Sequence, residues 1–233
     1  MLERRCGELP SGWPSDEASA VQVQQRLRAL VDVSGPGPDL SGGGTIAGVD
    51  VAYDEAGDRV AAAAVVLDAE TLAVVDQATA TGRIAFPYLA GLLAFRELPP
   101  VLDALAALGR APDLIVCDGY GVAHPRRFGL ASHLGVVTGI PAFGVAKSPF
   151  LYAYPEAELG PRRGAVAPLL DGCETVGRAV RTRSGVKPVF VSAGHLIDLD
   201  HACRHTLALS RTYRQPETTR LADRLCREVL AAG

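Results

Sequence analysis

The chain has no apolar run approaching the ~20 residues that a bilayer span needs. Its start, Met-Leu-Glu-Arg-Arg-Cys-Gly, also lacks the apolar stretch of a secretion signal. These absences point to a soluble, cytoplasmic protein with no membrane partner. Cysteines are few and poorly placed for pairing. Cys6, Cys117, Cys173, Cys203 and Cys226 are odd in number, scattered and without a Cys-x-x-Cys. That pattern fits reduced thiols rather than a disulfide framework or a zinc site. Lysine is nearly missing, with Lys147 and Lys187 the only two. An excess of positive charge is missing as well: the formal net charge of -3 disfavours bulk attraction to a polyanion. The total hides a local bias, because Arg126-Arg127, Arg162-Arg163, Arg178/Arg181/Arg183/Lys187 and Arg204/Arg211/Arg214 all lie after residue 120. Such clusters are either a solvated surface or an anion-binding face.

With 233 residues and 48% hydrophobic content, the chain can bury one sizeable core. The expected organisation is a single domain over 1–233, with an N-terminal helical arm at 1–33 and a Gly/Pro/Ser-rich linker at 34–44. Ser15-Asp16-Glu17 reads as a helix start, and Val23, Leu27 and Leu30 form an apolar stripe that should pack on the main body. Three β-like stretches follow at about 45–53, 60–68 and 73–80, separated by short turns, which suggests an antiparallel meander. A helix is expected over 89–98, broken at Pro99-Pro100, with a second over 100–108. Next come an apolar strand at 114–118, a helix over 129–138, and strands at 141–145, 174–182 and 188–192. Helices over 198–209 and 217–230 complete the chain.

Acids stand where this pattern would favour Val or Leu. Asp50 ends Thr-Ile-Ala-Gly-Val, Asp118 ends Leu-Ile-Val-Cys, and Glu97 closes Leu-Leu-Ala-Phe-Arg. A carboxylate carried toward a core loses several kcal/mol of hydration unless a cation or strong donors replace the water. Three of them suggest one shared cation, and hard oxygen ligands with no competing Cys-His cluster favour Mg²⁺. A meander followed by alternating helices and parallel-type strands, with acids on the first and fourth strands, is the order of an α/β, ribonuclease-H-like mixed sheet flanked by helices. In that sheet the first and fourth strands are parallel neighbours, which brings Asp50 and Asp118 together.

Several blocks, in order and near the family's spacing, resemble endonuclease V, a nuclease family that recognises inosine, the product of adenine deamination. They are Ile46-Ala-Gly-Val-Asp50, Phe86 to Glu97, Asp118-Gly-Tyr-Gly-Val-Ala-His-Pro-Arg-Arg127, Ala131-Ser-His133, Gly144-Val-Ala-Lys-Ser148, Ser192-Ala-Gly-His195 and Pro216 to Asp223. The resemblance implies that Asp50, Glu97 and Asp118 form the metal-binding acidic set, with Asp223 as an outer or second-metal ligand. From its residues alone, Glu97 could be an ordinary exposed helix residue, and Asp223, with Arg220, Arg224 and Arg227 nearby, merely an i,i+4 partner. Lys147 would act near the scissile phosphate. A chain that otherwise uses Arg and keeps a compact ammonium there suggests a site that cannot take a guanidinium fork.

The resemblance further implies a wedge at Tyr88 and Leu89 that pushes into the duplex beside the lesion. The family's usual Pro-Tyr-Ile-Pro reads Pro-Tyr-Leu-Ala at 87–90 here. Leu93, Gly119, Gly121 and His124 match the base pocket, where bare backbone could read the hypoxanthine edge; Ser148 completes the substrate set. Arg126 and Arg127 are candidates for phosphate contacts or for solvated surface. His195 could simply make a structural hydrogen bond, and His201 with His205, lacking a third ligand, read as a helix face.

The expected activity is that of a deoxyinosine 3′ endonuclease. It would depend on Mg²⁺, with Mn²⁺ as a substitute, and cut the second phosphodiester 3′ to the lesion to leave 3′-hydroxyl and 5′-phosphate ends. The expected partner is inosine-containing DNA, with RNA left open, and the expected state is a monomer. A non-catalytic inosine reader and another structure-selective nuclease of the same fold are the alternatives.

Overall fold

The computed structural model describes residues 13–232, so the part of the expected arm at residues 1–12 lies outside the described residues. Strands β1 (Thr45–Asp54), β2 (Arg59–Asp68) and β3 (Val74–Arg83) form the antiparallel meander. Strands β4 (Leu114–Cys117) and β5 (Ala142–Ala146) then join in parallel beside β1. Three antiparallel strands, β6 (Val166–Asp171), β7 (Glu174–Val180) and β8 (Val189–His195), extend the far side. The order across the eight-stranded sheet is β3-β2-β1-β4-β5-β8-β7-β6, the ribonuclease-H-like arrangement expected from the sequence.

Helices cover both faces. α2 (Leu93–Ala106) and α3 (Leu130–Thr138) pack on the face carrying Ala47, Val49, Ile115 and Cys117. The opposite face carries Ile46, Leu114 and Val116 under α4 (Leu199–Leu209), and Ala63, Val65 and Leu67 under α5 (Glu217–Ala232). Alternation along a strand therefore assigns each side chain to one helical layer. At Gly48 a Cβ would lie 2.2 Å from the backbone carbon of Thr218, so only a bare α-carbon lets α5 cross β1 this closely.

Four expectations need correction. β1 runs on to Asp54, so Asp50 lies inside the strand rather than at its end: the ladder to β2 continues to Asp54↔Arg59, while the parallel ladder to β4 stops at Val49↔Cys117. α2 begins at Leu93 and passes through Pro99 and Pro100 without a break. Pro99 has no N–H for the carbonyl of Phe95 four residues earlier, and the indole Nε1 of Trp13 donates to that carbonyl instead, at 2.6 Å. The arm helix α1 (Glu17–Arg28) buries Ala20 and Gln24, whereas Val23 and Leu27 are half-buried and Leu30 lies beyond it, exposed. The buried face is set by hydrogen bonds to Gln24, which an apolar pattern cannot reveal. Finally, the expected strands omit β6 altogether; it holds Pro168 within it, which is tolerated because β6 is an edge strand.

His133 is enclosed by Trp13, Phe95 and Phe128, and neither of its ring nitrogens has a partner. Burial pushes it down to about 3, so it packs as a neutral ring. Among the described residues no helix is long and apolar enough to cross a membrane.

Candidate active site

Asp50 and Asp118 each follow the last residue of the β1–β4 parallel ladder. Asp50 shares the parity of Gly48 and Ala63, so it faces the layer of α5, which contributes Asp223, while Asp118 sits just past the end of β4. Glu97 reaches in from α2 in the opposite layer and accepts a hydrogen bond from the Tyr53 hydroxyl at 3.4 Å. Tyr53 itself lies against the Arg96 guanidinium, 4.3 Å from its ring centre, and Arg96 is ion-paired with Glu55.

Neighbouring acids act on Asp50, Glu97 and Asp118. Burial, then the charge of Asp118, pushes Asp50 up to about 7, and Asp223 adds to the rise. Burial, then Asp50 and Asp118, pushes Glu97 up to about 8. Asp118 is also raised by burial, against the pull of Lys147, whose Nζ lies 2.5 Å from Asp118 Oδ2. Burial lowers the Lys147 ammonium, but the attraction of Asp118, Asp50 and Asp223 outweighs it and leaves the group above its usual value. Carboxyls that repel in a partly dry site are short of positive charge, and one ammonium does not supply enough.

Asp50 Oδ2 is buried without any hydrogen-bond partner. An orphaned hard oxygen beside three further carboxylates fits a hard divalent cation. Burial, and then the same acids, push the nearby Cys117 and Cys226 thiols up, away from the thiolate a softer metal would need. Among the described residues no three His, Cys, Asp or Glu side chains are gathered tightly enough to form a finished cage. The acids come from both faces of the sheet, and the ammonium of Lys147 holds one of them.

A cavity of about 360 Å³ opens beside these acids, with Asp118 and Lys147 in its wall. Leu93, Ala94 and Leu130 make it apolar, Gly119 and His124 line it, and Tyr88, Leu89 and Ser148 stand at its edge. Tyr88 is 67% exposed, unusual for an aromatic side chain and in keeping with a surface that meets a partner. His124 accepts from the Arg126 N–H through Nδ1, which leaves Nε2–H to donate to the carbonyl of Gly91 at 2.9 Å. Burial pushes His124 down to about 4, so it is a neutral donor.

Three candidates have different surroundings from those expected. Gly121 approaches the protein rather than a ligand: its Cβ would lie 1.9 Å from the carbonyl oxygen of Ala193, and its N–H donates to Ser192 Oγ. Arg127 is held by Asp171, Glu174 and the Tyr152 hydroxyl, and Arg126 by Gln24 and the Gly91 carbonyl, so both forks are engaged inside the protein. His195 accepts from the Asp32 N–H, a structural bond, while His201 pairs with Asp198 at the start of α4.

Sequence reasoning missed Tyr120 and Phe150, whose rings sit 6.3 Å apart in the cavity wall, and Tyr53 behind Glu97. It also missed Arg214, which donates to the carbonyls of Lys147, Lys187 and Pro188 and so braces the strand end that presents Lys147. An exposed aromatic following Lys-Ser-Pro was the one available signal for Phe150.

Comparison with known proteins agrees with this architecture. The family model described as Endonuclease V matches residues 26–224. The Endonuclease V of Streptomyces avermitilis is 64% identical over 222 residues, covering 95% of this chain and 96% of that protein. Its crystal structure superposes with a TM-score of 0.91 at 63% identity, over 96% of each chain. Endonuclease V of Ciona intestinalis, solved with a 24mer DNA containing an inosine, superposes with a TM-score of 0.80 at 29% identity, over 92% of this chain and 98% of that one. The carboxylates on adjoining strands, the lysine among them and the neighbouring apolar cavity thus stand on a chain that belongs to the endonuclease V family.

Proposed function

We propose that this protein binds inosine-containing nucleic acid, holds the extruded hypoxanthine in the cavity beside Asp118, and hydrolyses the second phosphodiester on its 3′ side. The observation that carries this reading is the adjacency of two features. Mutually repelling, partly buried carboxyls lie next to a largely apolar cavity of about 360 Å³ that has an exposed tyrosine at its rim. A flat, weakly charged base suits the cavity, and a phosphodiester suits the acids once a cation offsets their charge.

Asp50, Glu97, Asp118 and Asp223 would hold the cation, taken as Mg²⁺ with Mn²⁺ as a substitute. When bound, it acidifies the attacking water and offsets charge on the phosphate. Lys147, in contact with Asp118, places its ammonium where negative charge grows on the phosphate oxygens. Tyr53 fixes the rotamer of Glu97. His124 holds the loop at Gly91 against the pocket, while Leu93 and Leu130 exclude water from the base. Tyr88, with Leu89 behind it, fills the gap left by the extruded base. Arg162, Arg163, Arg183, Lys187 and Arg211 have no acidic partner among the described residues. Of these, Lys187 and Arg183 stand nearest Lys147, because Arg214 joins the carbonyls of Lys187 and Lys147 and Arg183 donates to the carbonyl of Thr212 beside it; they offer phosphates the track that Arg126 and Arg127 do not.

The test is incubation of the purified protein with an inosine oligonucleotide and Mg²⁺, beside an Asp50→Ala control, with the cut mapped at nucleotide resolution. Incision one bond beyond the nearest 3′ phosphodiester is expected. Binding without incision would favour a non-catalytic inosine reader, and equal cutting of undamaged branched DNA would favour a structure-selective nuclease. Matched deoxyinosine and riboinosine strands in the same assay separate DNA from RNA as the preferred substrate.

A further inference from the structure

The carbonyl oxygen of Gly91 accepts three side-chain donors at once: Gln24 Nε2 at 3.0 Å, His124 Nε2 at 2.9 Å and Arg126 Nη2 at 2.8 Å. Those donors come from the arm helix and from the loop after β4, which are far apart in the chain. Gln24 is 1% exposed, and every polar atom of its side chain is used. Its Nε2 also reaches the carbonyl of Phe128 at 3.1 Å, and its Oε1 accepts from Arg126 Nε at 2.5 Å. A buried amide that is fully satisfied on two other segments fixes those segments relative to each other, because moving either one leaves polar groups dry and unpaired.

The segment so fixed is the root of the exposed Tyr88 tip. Gly91, at φ +81°, is the third residue of a turn closed by the Leu92 N–H on the Leu89 carbonyl at 2.9 Å. A Cβ at Gly91 would meet Arg126 Nη2 at 3.0 Å, so the glycine also leaves room for the donors. Ahead of this turn, Pro87 to Leu89 belong to no helix or strand, and Tyr88 is 67% exposed. Among the described residues, the tip runs directly into α2, whose Phe95 carbonyl takes the Trp13 indole from the same arm. The arm therefore grips the tip's base at two points, four residues apart.

We propose that Gln24 is a positioning residue: through the Gly91 carbonyl it holds the Tyr88 tip rigid against the cavity, so that the tip can separate a duplex instead of folding back under load. This rests on the wedge role given to Tyr88 above. A tip that must displace a stacked base works only if its root does not yield, and the clamp supplies that stiffness from a helix outside the catalytic sheet.

Gln24→Glu is the sharpest probe. It keeps the acceptor for Arg126 Nε and replaces the donor toward Gly91 and Phe128 with a carboxylate oxygen that faces their carbonyls; Gln24→Leu removes donor and acceptor alike. Amide hydrogen exchange over residues 88–92 of the free protein reads the clamp directly. Both variants should accelerate exchange there by about tenfold while the β1 and β4 amides stay protected. On an inosine duplex kcat/KM should fall about tenfold further than on the same inosine in a single strand. Ala90 is the second residue of the turn, and the left-handed third residue marks a type II geometry that accepts proline at that place. Ala90→Pro added to Gln24→Glu should therefore slow exchange at 88–92 and recover most of the duplex activity. Unchanged exchange at 88–92 in both variants overturns the clamp, whatever happens to cleavage. So does an equal loss on duplex and single strand that Ala90→Pro fails to rescue. If exchange rises but Tyr88→Ala itself shows no preference for single strands, the clamp stands and the wedge reading falls. A Gln24→Leu protein that does not fold leaves Gln24→Glu to decide.

Discussion

Lys147 Nζ lies 2.5 Å from Asp118 Oδ2, so one of the chain's two lysines touches a carboxylate of the candidate site. Its ammonium is also drawn by Asp50 and Asp223. A single compact charge can serve three acids from one point, whereas a guanidinium spreads its charge over a plane and needs a wider slot. Lys147→Arg should therefore lower kcat by about a hundredfold with little change in substrate affinity. Steady-state kinetics beside a binding titration would check it, and a variant within about threefold of the parent would remove Lys147 from the chemistry.

The raised carboxyls predict how metal and pH interact. Asp50 at about 7 and Glu97 at about 8 stand above their ordinary 3.8 and 4.5. Between about pH 4 and pH 8 the folded protein thus holds more protons than the unfolded chain, and the metal-free protein loses stability as pH rises through that window. A cation competes with those protons. Added Mg²⁺ should raise Tm more at about pH 8 than at about pH 5, and calorimetry in two buffers should show proton release on binding. An equally large shift at the acid end of that range would contradict this.

Gly48→Ala should be costly despite adding one methyl group. The new Cβ would lie 2.2 Å from the Thr218 backbone carbon and 2.4 Å from its oxygen, both at the start of α5. Backbone does not swing aside as a side chain does, so a loss of about 3 kcal/mol in denaturant unfolding is expected. Because α5 carries Asp223, activity should drop even at temperatures where the variant is folded.

Tyr88→Ala should reduce incision of duplex inosine far more than incision of inosine in a single strand, since only the duplex needs its stack opened. Parallel time courses on the two substrates decide it; equal losses would give Tyr88 a role in reading the base instead.

Lys187→Glu combined with Arg183→Glu should weaken binding of lesion and undamaged duplex alike. The slope of log affinity against log salt should fall by about one for each phosphate left without its cation. The same pair of changes at Arg126 and Arg127 should damage folding first, because those side chains hold Gln24, Gly91, Asp171 and Glu174. Salt titrations of binding, beside thermal melts, separate the two outcomes.

Much of this molecule is legible in its residues alone. The meander, the parallel pair β1–β4 and the adjacency of Asp50 and Asp118 follow from strand periodicity and from the rule that parallel neighbours align their ends. Other features stay hidden because a side chain distant in the chain reverses a local rule. Pro99-Pro100 reads as a helix break, yet Trp13, more than eighty residues earlier, satisfies the carbonyl that Pro99 leaves open. Arg126 and Arg127 read as phosphate ligands, yet acids at 171 and 174 and an amide at 24 claim their forks.

Residue type and spacing by themselves determined the fold class and the family blocks, and only through that resemblance the candidate acids, because hydrophobic period and block order are local properties of a chain. Which face of α1 is buried, which arginines remain free for a phosphate, and what stiffens the Tyr88 tip were decided only in three dimensions. Each depends on polar groups from separate segments meeting in a dry interior, where a missing partner costs more than a local preference can return.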